Sequence, residues 1–162
     1  GNESRFGSFD GTVALLFRYW RSCMKRLSLF VVVMLCSAPA AAELPATITS
    51  PYLKLQVGLA GDSIDGISEN ASAMSEAAVA LGGDADAVVV AATALAAAED
   101  IASAREAFGS LSDALIHYSE LAGLGELKVA YCPMVDKSWV QEEGPIANPF
   151  YGAMMLTCGS FK

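Results

Sequence analysis

Apolar residues recur at intervals of three and four through the middle of the chain, a spacing that puts them on one face of a helix. One series after Asp100 ends at Gly123 and contains Ile101, Ala104, Phe108, Leu111, Leu115, Tyr118 and Ala122. Another after Asp62 ends at Gly82 and contains Ile64, Ile67, Ala71, Met74, Ala78 and Leu81. Asp is a favoured N-cap and Gly a favoured helix stop, so each series predicts one helix.

Two shorter segments predict further helices. The first is expected to open at Ser50-Pro51 and to end at Gly61, because proline suits the first helical position. The other is expected to open at Asp84, to run through the alanine-rich stretch that follows, and to carry Val88, Ala92 and Leu95 on its apolar face. Four amphipathic helices with short connections predict an all-α fold, an antiparallel four-helix bundle.

The helical period stops after Gly123. Residues 127–131 alternate between apolar and polar and predict a short strand. We therefore expect residues 127–162 to form a small strand and loop segment that is appended to the bundle and carries the cysteine and methionine motifs.

The front of the chain resembles a secretory leader rather than part of the fold. Residues 24–42 combine a basic start, the apolar run LSLFVVVMLC and the cleavage pattern Ala40-Ala41-Ala42, as in a Sec-type signal peptide. The apolar run is too short to span a membrane. Lipid attachment at Cys36 is disfavoured because Leu35 is large. We expect residues 1–23 to be an upstream extension and residues 43–162 to be the mature, periplasmic domain, without a membrane span.

Charge is divided unevenly between these parts. The chain has 10 basic and 18 acidic residues and a formal net charge of -8. From Glu43 onward the count is 5 basic against 16 acidic residues. Such an acidic domain lacks the basic face that nucleic-acid binding needs. The high apolar content excludes a disordered chain.

Within the expected mature domain, soft sulfur donors are concentrated at the C-terminal end, where both of its cysteines and three of its four methionines lie. Cys132 and Met134 are two residues apart, and Met155 and Cys158 would share a face if their segment were helical. Met154 adds a further thioether. Thiolate and thioether ligands favour Cu(I) and similar soft cations.

Spacing alone leaves three alternatives for the two cysteines. Cys132 and Cys158 can form a disulfide, which export would favour, with the methionines as core residues. They can instead bind a soft metal, or remain free buried thiols. A zinc ribbon is disfavoured because methionine is a poor zinc ligand. The usual hydrolase, metalloprotease and phosphate-loop motifs do not occur in the sequence, so we expect no enzymatic activity.

The ordered motifs of this segment also resemble a bacterial family. They are Tyr131-Cys132-Pro133-Met134, Trp139-Val140-Gln141, Asn148-Pro149-Phe150-Tyr151-Gly152 and Met155-Leu156-Thr157-Cys158-Gly159. The set is similar to an uncharacterised periplasmic domain that occurs alone or appended to adaptor subunits of copper and silver resistance-nodulation-division efflux pumps. Tyr52-Leu53-Lys54-Leu55-Gln56 resembles its N-terminal half, so the similarity covers about residues 51–159.

The resemblance implies a helical bundle that binds Cu(I) or Ag(I) and has a heavy-metal efflux adaptor or pump as its partner. The ligands that it implies are Cys132, Met134, Met155 and Cys158. Further candidates are Met154, His117 and Trp139, the last through its aromatic face. Lys137 follows the first motif, and its positive charge must point away from a bound cation.

Overall fold

The computed structural model describes residues 43–162; residues 1–42, and with them the predicted signal peptide, lie outside the described part. The helices are α1 (Ala46–Ala60), α2 (Ile67–Val79), α3 (Asp86–Ala96) and α4 (Ile101–Ala122). The strands are β1 (Lys128–Cys132), β2 (Lys137–Gln141) and β3 (Ser160–Phe161). Single 3-10 turns lie at Gly83–Ala85 and Gly152–Met154.

The four helices pack in chain order, and α1 also contacts α4. The predicted apolar faces form the common core, except at Ile64, which is 44% exposed in the turn before α2. The largest buried members of the core on the helices are Ile48, Tyr52, Leu55, Leu59, Met74, Val88, Leu95, Phe108, Leu111 and Leu115. Helix α4 begins where the sequence predicts. Asp100 accepts a hydrogen bond from the Ser103 N–H, and the Ser103 hydroxyl accepts one from the Asp100 N–H. This reciprocal pair satisfies two N–H groups that the first turn leaves unpaired.

Two predicted helix starts are wrong. Helix α1 begins at Ala46 rather than at Ser50, and Pro51 lies inside it. The earlier start brings the buried side chain of Ile48 onto the core, which favours the longer helix. Helix α2 begins at Ile67 rather than after Asp62. Asp62 has a positive φ of 57° and lies in the turn between α1 and α2, where its carboxylate binds groups distant in sequence.

A three-stranded antiparallel sheet follows the helices, so the prediction of an all-α bundle is wrong and the fold is mixed. The predicted strand at residues 127–131 is present as β1, shifted by one residue. It pairs with β2 from Lys128↔Gln141 to Cys132↔Lys137 and with β3 at Tyr131↔Ser160. Neither neighbouring strand was predicted: three consecutive residues of β2 are buried, which hides any alternation, and β3 has two residues.

The sheet is joined to the bundle through β2, which packs against α4 and contacts α1. Tyr52 of α1 lies at this junction. Its phenol oxygen is 2.7 Å from the Ser112 hydroxyl of α4 and accepts the Val140 N–H of β2 at 3.1 Å. Its ring stacks on Phe108 at 5.1 Å. One buried side chain therefore links all three elements.

Within residues 43–162, no helix combines the length and apolar character needed to cross a bilayer.

Candidate functional site

Cys132 and Cys158 meet at one end of the sheet. Cys132 is the last residue of β1, and Cys158 precedes β3 by two residues. Because β3 pairs with β1 at Tyr131↔Ser160, the chain just before β3 must pass beside the end of β1. The two sulfur atoms lie 2.7 Å apart, Cys132 buried and Cys158 half-buried. No disulfide bond joins them in this structure.

Gly159 allows the chain to approach this closely. Its φ is +136°, and a Cβ there would lie 2.8 Å from Cη2 of Trp139 and 3.0 Å from the Tyr131 carbonyl oxygen. Real Cβ atoms essentially never make the first contact, and L residues rarely adopt that φ. The glycine of the Cys158-Gly159 motif is thus required for Cys158 to lie against β1.

The surroundings of Cys132 favour a thiolate. Burial raises the pKa of its thiol, but hydrogen bonds from Cys158, from the backbone N–H groups of Met134 and Val135, and from Asn148 outweigh burial and lower the pKa below its ordinary value. The two N–H groups come from the turn that joins β1 to β2. Because hydrogen bonds to a charged form favour that form, this turn stabilises negative charge on the sulfur.

Cys158 has the opposite tendency. Its hydrogen bond to Cys132, then burial, then the negative charge on Cys132 raise the pKa of the Cys158 thiol. The pair therefore consists of one sulfur suited to be a thiolate and a neighbour that keeps its proton and donates it. Thiolates are the form of cysteine that binds metals and attacks disulfides.

The methionines of the motifs are more exposed than Cys132. Met134 lies in the β1–β2 turn with 64% of its surface exposed, and Met154 is 85% exposed. Met155 is half-buried, and the segment from Met155 to Cys158 is a turn closed by the hydrogen bond from the Cys158 N–H to the Met155 carbonyl, rather than the helix on which the shared face depended. Thioethers are flexible donors, and both exposed methionines belong to the two segments that carry the cysteines.

The three other residues that the sequence singled out have different surroundings. The His117 side chain is 83% exposed on α4, 3.4 Å from Glu120. Trp139 is fully buried; its indole N–H donates to Gln141 and its ring meets Phe150 edge-on. The Lys137 ammonium lies against Gly109 of α4, 3.9 Å from Glu106. This ammonium is directed at the bundle, as a cation site beside Cys132 requires.

The loop that delivers Cys158 is clamped to the helices by Arg105. The guanidinium of Arg105 donates to the carbonyl oxygens of Pro149 and Leu59 and to the Asp62 carboxylate at 2.6 Å. Asp62 in turn accepts the Ala153 N–H at 2.9 Å. The Ala153 N–H and then Arg105 lower the pKa of Asp62 below its ordinary value. Arg105 of α4 and Asp62 of the α1–α2 turn thus hold both halves of the loop.

The sequence reasoning did not identify Arg105, Asp62 or Asn148 as residues that organise the site. Asn148-Pro149 predicted a turn, but Asn148 is fully buried, and its Nδ2 donates to the Cys158 carbonyl at 2.9 Å. An asparagine within the ordered motif, seven residues before the Met155–Cys158 segment, was the available signal. Arg105 is the one arginine from Glu43 onward, and this rarity was a second sequence signal.

Within residues 43–162, no three side chains of His, Cys, Asp and Glu converge as a metal-binding group. A metal at Cys132 and Cys158 would thus take its further ligands from methionine or from another molecule. A two-coordinate site would also need the sulfurs to separate to roughly 4.5 Å, twice a typical metal–thiolate bond of ~2.3 Å. Cys158 lies in a half-buried turn and Cys132 at the end of a paired strand, so Cys158 is the ligand expected to move.

Comparisons with known proteins add nothing to this geometry: no family model, no curated protein and no solved structure matches the chain.

Proposed function

We propose that this domain is an exported module that binds a soft cation, Cu(I) or Ag(I), through Cys132 and Cys158 and serves heavy-metal efflux or resistance. The observation that carries the proposal is the contact of the two sulfur atoms at 2.7 Å, with backbone N–H donors around Cys132. A thiolate prepared in this way is a strong ligand for soft cations. The half-buried Cys158 leaves the pair open on one side, which suits transfer of a cation.

The methionines supply the remaining ligands in this proposal. Met134 and Met155 are close in sequence to Cys132 and Cys158 respectively, and Met154 is a more exposed substitute. The link to an efflux adaptor or pump, and to the periplasm, rests on the motif resemblance and on the leader pattern in residues 24–42. Cation exchange with such a partner would use the exposed thioethers of Met134 and Met154 as first contacts.

The test is an anaerobic titration of the fully reduced protein with Cu(I) against a chromophoric Cu(I) chelator. We expect one tightly bound equivalent that is lost in the double variant Cys132→Ser, Cys158→Ser. All proteins in the test carry Cys23→Ser and Cys36→Ser, so that Cys132 and Cys158 are the cysteines that remain. His117→Gln is the matched control and is expected to bind like the unmodified protein. Affinity that survives the double substitution would refute the proposal.

A second candidate function rests on the same sulfur contact, interpreted as a disulfide pair. Sulfur atoms already in contact, 26 residues apart, can be joined as a disulfide that stabilises the domain, by about 3 kcal/mol on the chain-entropy model. An oxidising protein disulfide would accept two electrons and two protons from the thiols and become a dithiol itself. The domain would then be a stapled interaction module of the cell envelope that holds no metal.

Mass spectrometry of protein isolated from the cell envelope without reductant separates these candidates. A disulfide-stapled domain is two hydrogen masses lighter and melts at a lower temperature once it is reduced. A metal-binding dithiol is isolated with free thiols or with the cation, and its melting temperature rises when Cu(I) is added, because ligands that bind the native state stabilise it.

A further inference from the structure

Asn148 is a fully buried polar residue whose hydrogen bonds converge on the loop that ends at Cys158. Its backbone N–H donates to the Leu156 carbonyl at 2.7 Å. Its side-chain Nδ2 donates to the Cys158 carbonyl at 2.9 Å, and its Oδ1 accepts the Phe150 N–H at 2.8 Å. One residue therefore joins the beginning of this loop to its end.

We propose that Asn148 is the positioning residue of the cysteine pair: it holds the Cys158 main chain beside β1, within reach of Cys132, while the Cys158 side chain can turn to open the pair for a cation. The consequence for metal affinity rests on the proposed function. The consequence for disulfide formation does not, because joining the sulfurs also requires that they be held in contact. Groups behind the ligands orient them, and their loss weakens metal binding even though they never touch the metal.

The carboxamide is the group that this position requires. The Phe150 N–H needs an acceptor and the Cys158 carbonyl needs a donor, and a buried group left without its partner is costly. Asparagine supplies both from one short side chain. Aspartate supplies the acceptor alone and would set a carboxylate oxygen against the Cys158 carbonyl. Alanine supplies neither.

Gln56 offers a matched control on the neighbouring residue. It is a buried residue of α1, and its Nε2 donates to the carbonyl of Ala147. Gln56→Leu therefore removes an amide that supports the same loop one residue earlier, without removing any bond to Cys158. If the substitutions only loosen the loop, Gln56→Leu and the Asn148 variants should change Cu(I) affinity and disulfide stability alike. If Asn148 positions Cys158, the Asn148 variants alone should change these two quantities.

The experiment measures three quantities in the full protein and in Asn148→Asp, Asn148→Ala and Gln56→Leu. They are the melting temperature, the Cu(I) affinity of the reduced form, and the equilibrium constant for reduction by glutathione. In that reaction two glutathione thiols reduce the Cys132–Cys158 disulfide to a dithiol and become glutathione disulfide. We expect both Asn148 variants to lose about 10- to 100-fold in Cu(I) affinity and to shift the glutathione equilibrium toward the dithiol. Gln56→Leu should lower the melting temperature and leave the other two quantities within about twofold of the parent.

The unmodified protein provides a measurement that does not depend on the variants folding. In the reduced protein, the side-chain amide protons of Asn148 should be protected from hydrogen exchange and their NMR signals should shift when Ag(I) is added. Rapid exchange of these protons would overturn the inference, as would Asn148 variants that match Gln56→Leu in both equilibria. If the unmodified protein binds no Cu(I) or Ag(I), the proposed function fails, and amide protection together with the glutathione equilibrium decides the role of Asn148.

Discussion

Replacing Tyr52 by phenylalanine removes one oxygen atom at the junction between the helices and the sheet. The phenol shares a hydrogen bond with Ser112 and accepts the Val140 N–H, and all three groups are buried. Phenylalanine preserves the stacked contact with Phe108 but leaves the Val140 N–H without a partner. Leaving one buried donor unsatisfied costs about 1–3 kcal/mol, so Tyr52→Phe should lower the free energy of unfolding by that amount.

The assay is urea unfolding at pH 7, followed by circular dichroism at the helix band, with thermal unfolding beside it. An entropy of unfolding of about 2.1 cal/mol/K per residue over about 120 residues makes 1 kcal/mol equivalent to roughly 4 °C. Ser112→Ala is the control, because the bond between Tyr52 and Val140 survives in it. We expect a smaller loss there, about 0.5–1.5 kcal/mol. A loss below about 0.5 kcal/mol for Tyr52→Phe, the range of ordinary surface changes, would refute the reasoning.

Alkaline pH provides an independent check on the same phenol. Burial raises the pKa of Tyr52 above its ordinary value of 10.0, while hydrogen bonds from Ser112 and Val140 oppose this weakly. Above pH 10 the unfolded chain therefore releases this proton and the folded chain keeps it. Stability from Tyr52 is complete below pH 10 and is lost as the pH rises further, by up to about 1.4 kcal/mol per pH unit. The stability difference between the parent and Tyr52→Phe should narrow above pH 10; a difference that stays constant from pH 7 to 11 would contradict the buried position.

Three further predictions concern the clamp and the core. Gly152 has a φ of +57°, and a Cβ there would overlap the Asp62 carboxylate. Gly152→Ala should therefore lower the free energy of unfolding in urea by about 1–3 kcal/mol. Gly83→Ala is the control: its Cβ meets ordinary contacts, so the free energy of unfolding should change by less than about 0.5 kcal/mol. The pKa of Asp62 is lowered in the folded protein, so its carboxylate stabilises the fold above the ordinary pKa of 3.8, and this stabilisation is lost as the pH falls through the lower folded value. In acid, the free energy of unfolding of Asp62→Asn should therefore fall less steeply with pH than that of the parent. Equal slopes of unfolding free energy against pH would contradict the clamp. Phe108→Ala should cost about 3–5 kcal/mol because that ring is fully buried, while Val90→Ala on the exposed face of α3 should change the unfolding free energy by less than about 0.5 kcal/mol.

Helix α4 is the element that the sequence predicted most completely. Its 3-4 apolar series, the Asp100 cap and the Gly123 stop all lie where expected. Each of these signals acts between residues three or four apart, so the chain needs no distant partner to express it. The same holds for the apolar face of α3, with Val88, Ala92 and Leu95 buried as predicted.

Signals of the same type failed where a distant group competed for the residue. Asp62 had the sequence context of an N-cap, but Arg105 and the Ala153 N–H bind its carboxylate, and α2 starts later. Pro51 resembled a first helical residue, but burial of Ile48 favours a helix that begins five residues earlier, at Ala46. In both places tertiary contacts outweighed a local preference, which is worth at most a few kcal/mol.

The sequence by itself determined the chemistry of the candidate site: two cysteines and three methionines lie in one C-terminal segment. The tertiary structure alone decided that Cys132 and Cys158 touch, that Met134 and Met154 stay exposed, and that Asn148 and Gly159 bring the second cysteine to the first. The physical reason is the range of the interactions. Whether a side chain can act as a sulfur donor depends on that residue alone. The contact of the two sulfurs instead requires a 26-residue loop to close, through pairing of β3 with β1 and packing on Trp139. No short-range sequence pattern predicts that closure.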